Sequence, residues 1–241
     1  MSAPVSKTAQ TESASRETFG ARLDGYISRR GEFHNRILDA AEKLIVETRG
    51  TFFSMRDLAD RAKVSPATPF NHFGSKRGLL SAIVERSFDR FVRMPKETPS
   101  GADPLRQMFD RADLLLCYYA KKPDLYRPVF AELLGSEESP DRALLQAITS
   151  WRSGLRAASR VGQLQKGRNL DVIANQLETN WIGSLMLWIG GAIDGSGWKL
   201  QAEYGTAVTL LSVASDAAVP WLQDRVLQLE AQLARVIPRA H

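Results

Sequence analysis

The chain has 241 residues, of which 44% are hydrophobic, so it can bury the core of one or two domains and is not a fully disordered protein. Its single cysteine, Cys117, excludes a disulfide framework and a cysteine-rich metal site, and it predicts a reducing, cytoplasmic location. The net charge of +5 is modest, the first 30 residues lack the apolar core of a signal peptide, and the apolar run 181–193 is too short to span a bilayer.

The N-terminal residues 1–30 are predicted to form a disordered or flexible basic arm. Residues 1–15 are rich in Ser, Thr and Ala, and residues 16–30 carry four arginines beside apolar residues at helical spacing, so a short helix is possible there. Arg29 and Arg30 fit either an arm in a DNA minor groove or a solvated basic linker. The sequence leaves both interpretations open.

Two amphipathic helices, over residues 33–48 and 76–94, are predicted to frame the next segment. Each carries apolar side chains at a period of about 3.6 residues, and Gly50 ends the first helix. The stripes consist of Ile37, Leu38, Ala41, Leu44 and Ile45 in the first helix and of Leu80, Ile83, Val84, Ser87, Phe88 and Phe91 in the second. We expect these stripes to form the core that holds the segment between them rigid.

The segment between these helices begins with a short helix that has strong start signals. Ser54 and Asp57 stand at the spacing of a capping box, and Phe53 and Leu58 stand at that of a hydrophobic staple. Such signals predict where the helix begins from neighbouring residues alone.

A turn at Lys63 and Val64, with Val64 as its buried plug, is predicted to lead into a second short helix over Pro66–Phe73. Ser65 would cap this helix, and Pro69 would make its start tight or partly 3₁₀. Its polar side chains cannot build a core but can reach base edges and phosphates in a major groove; they are Thr68, Asn71 and His72.

Ser75 is predicted to cap the following helix, and Lys76 lies in the first turn of that helix. A cation is disfavoured there unless it faces an anion, and free N–H groups and the lysine could hold a phosphate together. The alternative for residues 54–73 is an ordinary helical hairpin in a core, for which the apolar faces are thin.

At these residues the sequence resembles the TetR family of bacterial transcriptional regulators, over about residues 32–91. The resemblance is carried by Leu58, Ala59, Ala62, Val64, Ser65, Thr68, Phe70, Asn71, His72, Phe73, Ser75, Lys76, Leu79 and Leu80. Three residues depart from the family pattern. Lys63 replaces a glycine in the turn, Pro69 replaces leucine or isoleucine, and Phe70 replaces a tyrosine whose hydroxyl contacts phosphate.

The resemblance implies an all-α fold with an N-terminal three-helix DNA-binding head and a larger C-terminal helical bundle. It places the DNA-binding domain at residues 31–94 with the helix-turn-helix at 54–73, a linker at 95–104, and a ligand-binding and dimerisation domain at 105–241. Bases would face Ser65, Pro66, Ala67, Thr68 and Asn71, phosphates would face Arg56, His72 and Lys76, and Phe70 would lie at the same surface without the usual hydroxyl.

The charge is divided in the same way along the chain. Residues 16–94 hold 15 Lys and Arg against 10 Asp and Glu, whereas residues 95–241 hold 16 of each. The excess positive charge therefore lies in the segment with the helix-turn-helix pattern. A basic DNA-binding head on a neutral body would show this asymmetry.

The body is predicted to consist of six further helices without strands. Their expected ranges are 104–119, 125–134, from Ser139 and Pro140 to 161, 170–193, 199–214 and 220–236. The resemblance implies a pocket between them, and the many aromatic residues suit a hydrophobic or aromatic effector. Tyr118, Trp151 and Trp181 are the preferred ligand contacts because each has a polar group beside its apolar surface; the alternative is that they are ordinary core residues.

The helices predicted at 170–193 and 199–214 carry small residues on extended faces, namely Ala174, Gly183, Gly190, Gly191, Gly205, Ala207 and Ala214. The resemblance implies that these two helices pair with the same two of a second chain as a four-helix bundle. Two copies on a palindrome would also multiply the specificity of one short reading helix. Packing within a single chain is the alternative.

The predicted function is that of a ligand-responsive transcriptional repressor, released from a palindromic operator by a small apolar molecule, and no cofactor is expected. The patterns GxSxG, GxxxxGK[ST], HExxH and GxGxxG are absent, and the three histidines are scattered, so neither an enzyme nor a metal site is predicted. Two alternatives remain. One is a helical small-molecule binding protein or enzyme with a vestigial head, and the other is a DNA-coating protein that does not read sequence.

Overall fold

The structure, a computed structural model, describes residues 31–93, 103–135 and 142–236. Within these ranges the chain is helical and has no β-strand, only one isolated bridge between Leu164 and Ala214. The helices are α1 (31–48), α2 (Met55–Ala62), α3 (Ala67–Phe73), α4 (Lys76–Arg93), α5 (Pro104–Ala120), α6 (Pro123–Leu134), α7 (Arg142–Arg160), α8 (Leu170–Ile189), α9 (Gly195–Leu211) and α10 (Val219–Leu233). No helix in the described part of the chain is long and apolar enough to cross a membrane.

Helices α1–α4, called the head below, pack around the apolar stripes predicted for α1 and α4. The side chains that are fully buried there are Ile37, Leu38, Ala41 and Ile45 from α1, Leu58 and Ala59 from α2, and Leu79, Leu80 and Ile83 from α4. Burial of these apolar groups is the main term that stabilises the short α2 and α3, which are too short to be stable helices alone. The predicted helical core between residues 33 and 94 is therefore confirmed for these side chains.

Helices α5–α10, called the body below, are arranged around α8 and α9. Helix α9 packs against α8, α10 and α5, and α7 packs against α8 and α5. The head core continues into the body without a break, because Tyr119 of α5, Tyr126 of α6 and Trp188 of α8 belong to the same buried cluster as Ile37 and Leu80. A change in the body can therefore reach the head through packed side chains.

Several helix boundaries in the body differ from the prediction, and α9 and α10 each end three residues early, at Leu211 and Leu233. Helix α6 begins at Pro123 rather than near residue 125, because proline at the first helical position needs no N–H partner. Helix α8 ends at Ile189 rather than residue 193, since the chain turns at Gly191 with a φ of 75°. Helix α9 begins at Gly195 because the Asp194 carboxylate accepts from Gly197 N at 2.7 Å, so the segment predicted as a turn is a helix start.

Other predictions fall on residues that the structure does not describe. The basic arm at 1–30, most of the linker at 95–104 and the helix start at Ser139 and Pro140 lie outside the described residues.

Candidate nucleic-acid interface and ligand site

The start of α2 is fixed by the predicted capping box. Ser54 N donates to the Asp57 carboxylate at 2.8 Å, and Asp57 N donates to Ser54 Oγ at 3.1 Å. These hydrogen bonds lower the pKa of Asp57. The predicted capping box is therefore confirmed, and it leaves Arg56, in the first turn of α2, exposed.

The turn between α2 and α3 uses a left-handed lysine. Lys63 has a φ of 52° and a ψ of 51°, a conformation that favours glycine, the residue usual in the family. Val64 N donates to Ala59 O at 3.0 Å, and the Val64 side chain is half-buried against the head core. The turn is therefore formed as predicted although the residue in it is unfavourable.

Helix α3 begins one residue later than predicted and lacks the predicted cap. Pro66 has helical dihedrals of −55° and −29° but precedes the helix, and no side chain caps its first turn. The Ser65 hydroxyl lies 2.7 Å from the Thr68 hydroxyl instead of bonding a backbone N–H. Thr68 N donates to Ser65 O at 2.9 Å, and Pro66 and Pro69 have no N–H, so a backbone turn replaces the side-chain cap at the start of α3.

Pro69 sets which side of α3 faces outward. It is the one buried residue of this helix, while Ala67, Phe70 and Asn71 are exposed and Thr68 and His72 are half-buried. Phe70 leaves 53% of its surface exposed, which is unusual for a large apolar side chain within a packed head. Helix α3 thus presents most of its surface to solvent.

The nine residues predicted to contact DNA are all at least partly exposed. Those exposed are Arg56, Ser65, Pro66, Ala67, Phe70 and Asn71, and those half-buried are Thr68, His72 and Lys76. The His72 ring lies 6.0 Å from the rings of both His34 and Phe73, so α1 supports the end of α3.

Lys76 has an internal partner that the sequence did not predict. Its Nζ donates to Thr51 O and lies 5.0 Å from the centre of the Phe53 ring. Ser75 caps α4 as predicted, because Gly78 N donates to Ser75 Oγ at 3.0 Å. In this arrangement Lys76 ties the loop before α2 to the start of α4, and a phosphate contact would have to share its ammonium with Thr51 O.

Arg86 of α4 joins the two longest helices of the head, a role that sequence reasoning missed. Its guanidinium lies 2.7 Å from Asp39 Oδ1 and 2.5 Å from Glu42 Oε1, and its side chain is only 10% exposed. Both acids lie on α1, one turn apart on the same face. The only signal in the sequence is the three-residue spacing of the two acids, and this spacing does not identify the arginine on another helix that pairs with them.

Replacing Arg86 with alanine is expected to lower the free energy of unfolding by about 2 kcal/mol, because Glu42 would be left half-buried without its cation. Urea unfolding followed by circular dichroism measures the change. Arg90→Ala is the matched control, since Arg90 is an exposed arginine of the same helix, and it should change the value by less than about 0.5 kcal/mol. Equal effects of the two variants would contradict the assigned ion pairs.

Two of the three predicted ligand contacts come together in the body. The rings of Trp151 on α7 and Trp181 on α8 lie 6.3 Å apart in an edge-on arrangement, and both side chains are half-buried. Tyr118 belongs to a different group, with its ring 5.7 Å from Tyr119 and 5.9 Å from Tyr126. The structure therefore brings the two tryptophans together, at a place called the tryptophan site below, and places the tyrosine apart from them.

A buried carboxylate completes the tryptophan site, and sequence reasoning missed it. Glu178 is only 6% exposed, and its Oε2 accepts a hydrogen bond of 2.9 Å from Trp151 Nε1. Burial raises the pKa of Glu178 to about 7. The available signal was a single acidic residue three positions before Trp181, and it stands among the polar residues Gln176, Thr179 and Asn180 like an ordinary surface residue.

The tryptophan site is linked to further aromatic rings. The Trp181 ring lies 5.8 Å from that of Trp198, which stacks on Trp188 at 4.4 Å. The Arg127 guanidinium of α6 lies 5.0 Å from the centre of the Trp188 ring. A row of side chains thus runs from α7 to α6.

Helices α5 and α6 contact the head through three hydrogen-bonded pairs. Thr51 Oγ1 donates to Glu132 Oε2 at 3.1 Å, and Arg77 Nη1 donates to Leu133 O at 2.9 Å. The hydroxyls of Ser87 and Tyr119 are hydrogen-bonded at 3.1 Å in a buried position. These pairs connect the body to both ends of the helix-turn-helix.

The head matches a known family of proteins. Residues 37–83 match the family described as bacterial regulatory proteins, tetR family. A curated HTH-type transcriptional repressor of Mycobacterium tuberculosis is 35% identical over 75 residues, which are 31% of this chain and 39% of that protein. The match therefore covers well under half of the length of this relative.

Solved structures resemble nearly the whole described chain. TylP, a TetR regulator from Streptomyces fradiae, has a TM-score of 0.60 at 20% identity and covers 85% of this chain and 99% of its own. SmeT, the repressor of a multidrug efflux pump of Stenotrophomonas maltophilia, has a TM-score of 0.60 at 23% identity. The match covers 77% of this chain and 92% of SmeT. A further structure shows SmeT in complex with triclosan. At these identities the likeness shows the fold.

Proposed function

We propose that this chain, whose residues 37–83 match the tetR family of bacterial regulatory proteins, is a dimeric transcriptional repressor that releases a palindromic operator when a small molecule binds its body. The observation that supports this most directly is the exposure of α3. A seven-residue helix that buries only Pro69 and presents Phe70 and Asn71 to solvent contributes little to the fold. The exposed side chains of α3 can reach base edges in a major groove.

In the proposed complex, α3 reads bases and the residues around it hold phosphates. Thr68, Asn71 and the turn 65–67 face base edges, and Arg56 and His72 lie beside the backbone. Lys76 approaches a phosphate only if its ammonium is shared with Thr51 O. Phosphate contacts position the head, and base contacts supply the specificity.

The proposed dimer uses the outer faces of α8 and α9. Exposed apolar side chains support it, rather than the small residues on which the sequence-based expectation of a dimer rested. Ala174, Ala207 and Ala214 are buried within the chain, and a Cβ on Gly205 would come within 3.2 Å of Asn180 Cβ. These small residues therefore serve packing inside one chain. The exposed apolar side chains on the two helices are Val172, Met186, Leu187 and Val208. Burying them against a second copy would remove them from water.

Release of DNA is proposed to follow from a shift between two arrangements of head and body. A ligand at the tryptophan site would favour one arrangement, and the contacts of α5 and α6 with Thr51, Arg77 and Ser87 would pass the change to the head. The ligand shifts the equilibrium only by its difference in affinity for the two arrangements.

The proposed function is tested by selecting bound duplexes from a randomised DNA pool with the purified protein at near-physiological salt. We expect enrichment of a palindrome with two equivalent half-sites, because a symmetric dimer reads each half once. A folded protein that enriches no sequence would contradict the proposal. Tight binding that falls steeply with salt without any preferred sequence would instead favour a DNA-coating protein.

A further inference from the structure

The described helices of the body bury two carboxylates, of which one is paired with cations and the other with an indole N–H. Glu203 on α9 is 3% exposed and is paired with Arg225, with Lys199 Nζ 4.0 Å away. Glu178 on α8 is 6% exposed, and among the described residues its partner is the Trp151 indole N–H. A buried carboxylate is normally paired with a cation. Glu178 is the one for which the described chain supplies none.

The surroundings of Glu178 suit a cation that comes from outside. Trp151 donates to the carboxylate through its ring nitrogen and also lies 6.3 Å from the Trp181 ring. Both indoles are half-buried, so they remain accessible from solvent. The face of an indole attracts a positive charge more strongly than any other side-chain ring, and clusters of such rings bind quaternary ammonium groups.

We propose that the effector is a small organic cation with apolar surface, bound with its positive charge at the Glu178 carboxylate and against the rings of Trp151 and Trp181. This inference rests on the proposed function, because it names the chemical class of the effector for the same tryptophan site. It narrows the expectation of a hydrophobic or aromatic molecule to one that also carries a positive charge.

Binding of the cation requires the ionised carboxylate. Burial raises the pKa of Glu178 to about 7, so near neutral pH a large part of the free protein carries the proton. A cation beside the carboxylate stabilises the charged form, and binding therefore releases a proton. The other groups that face Glu178 do not replace this effect, since Trp151 has no charge and Tyr119, whose pKa is itself raised, stays neutral.

The same carboxylate lies within electrostatic reach of the contact between body and head. The charge of Glu178 contributes to raising the pKa of Tyr119, and the Tyr119 hydroxyl is hydrogen-bonded to Ser87 of α4. At a pH where Glu178 is ionised in the free protein, a bound cation would cancel the field of its carboxylate at this buried pair. The proposed ligand class therefore has a direct route to the helix that leads into the head.

The test uses two probes of nearly the same shape, benzyltrimethylammonium and the neutral neopentylbenzene, with the full-length protein and no DNA. Calorimetry and tryptophan fluorescence measure their affinities at pH 8. We expect the cation to bind at least about tenfold more tightly than its neutral counterpart. Because the charge of the probe is fixed, its affinity should fall by roughly tenfold between pH 8 and pH 6 as Glu178 takes up a proton.

Glu178→Gln keeps an acceptor for Trp151 N–H and should weaken binding of benzyltrimethylammonium by at least about tenfold while leaving neopentylbenzene within about twofold. Glu230→Gln on α10 is the matched control, because it removes one exposed carboxylate and should bind both probes like the parent. Trp181→Leu, a second variant, should weaken cation binding about fivefold through loss of the indole face.

Equal affinity for the two probes, an unchanged affinity in folded Glu178→Gln, or no saturable binding of benzyltrimethylammonium at millimolar concentration would overturn the inference. These outcomes are separable from failure of the proposed function. A protein that selects a palindrome but ignores the cation remains a DNA-binding regulator with another effector. A protein that binds the cation through Glu178 but selects no operator retains this site and loses the proposed function.

Discussion

Replacing Asn71 with alanine is expected to weaken binding to the selected palindrome by about 100-fold or more while leaving the fold intact. Asn71 is exposed on α3, and an asparagine amide can make two hydrogen bonds to the edge of an adenine. A good contact of this kind contributes about 1–3 kcal/mol, and a dimer makes it twice. Fluorescence anisotropy with a labelled operator measures the loss.

Asn71 is a cleaner test of base reading than the predicted phosphate contacts. Lys76 donates to Thr51 O within the head, so removing it would disturb the fold and DNA binding together. Gln223→Ala, the loss of an exposed amide on α10, is the control and should leave operator affinity within about twofold. If Asn71→Ala bound the palindrome like the parent, or weakened all DNA sequences equally, Asn71 would not be a base-reading residue.

Replacing Glu178 with glutamine is expected to raise the free energy of unfolding at pH 8 by about 3 kcal/mol. The pKa of Glu178 is raised by burial from 4.5 to about 7 in the folded chain. Between these values the folded protein keeps a proton that the unfolded chain loses. Stability from this group is therefore fully present below about pH 4.5 and is lost as the pH rises through about 7.

Glutamine is neutral at every pH and can still accept from Trp151 N–H, so the variant should lack this dependence. Urea unfolding of the parent and of Glu178→Gln at pH 5 and pH 8 measures the difference, with Glu230→Gln as the surface control. The other titrating groups, including buried Glu203 whose pKa is also raised, are common to both proteins and cancel in the comparison. A variant that is less stable than the parent at pH 8 would contradict a buried, destabilised carboxylate.

The helix starts could be predicted from the sequence where they depend on neighbouring residues. The capping box joins Ser54 and Asp57, which are three positions apart, and the Ser75 cap accepts from Gly78 N at the same separation. Such contacts are set by local spacing and are the same in any packing of the chain. Ser65 is the exception, because its hydroxyl pairs with the side chain of Thr68, an equally local alternative.

The charged groups of the interior could not be predicted, because their partners are far away in the sequence. Arg86 is paired with Glu42, 44 residues earlier, and Glu178 accepts from Trp151, 27 residues earlier. Periodicity shows that a residue lies on a helix and on which face, but it does not tell which helix that face meets. The site of Glu178 therefore required the three-dimensional structure.

The small residues on α8 and α9 also show that a sequence pattern does not identify the helix that a given face meets. They predicted close approach of helices, and close approach occurs, since Asn180 Nδ2 donates to Gly205 O at 3.1 Å. The sequence could not tell packing within a chain from packing between chains. The proposed dimer is better supported by the exposed apolar residues Val172, Met186 and Leu187, because apolar side chains left in water favour a partner surface.

If the two heads of one dimer read one palindrome, the affinity must depend on the spacing of the half-sites. Anisotropy would compare the selected operator with the same operator carrying five extra base pairs at its centre, about half a helical turn. We predict a loss of affinity of at least about 100-fold, because the second half-site then faces the opposite side of the duplex. Equal affinity for both duplexes would mean that the heads bind independently, which would contradict the reading of one palindrome by a dimer.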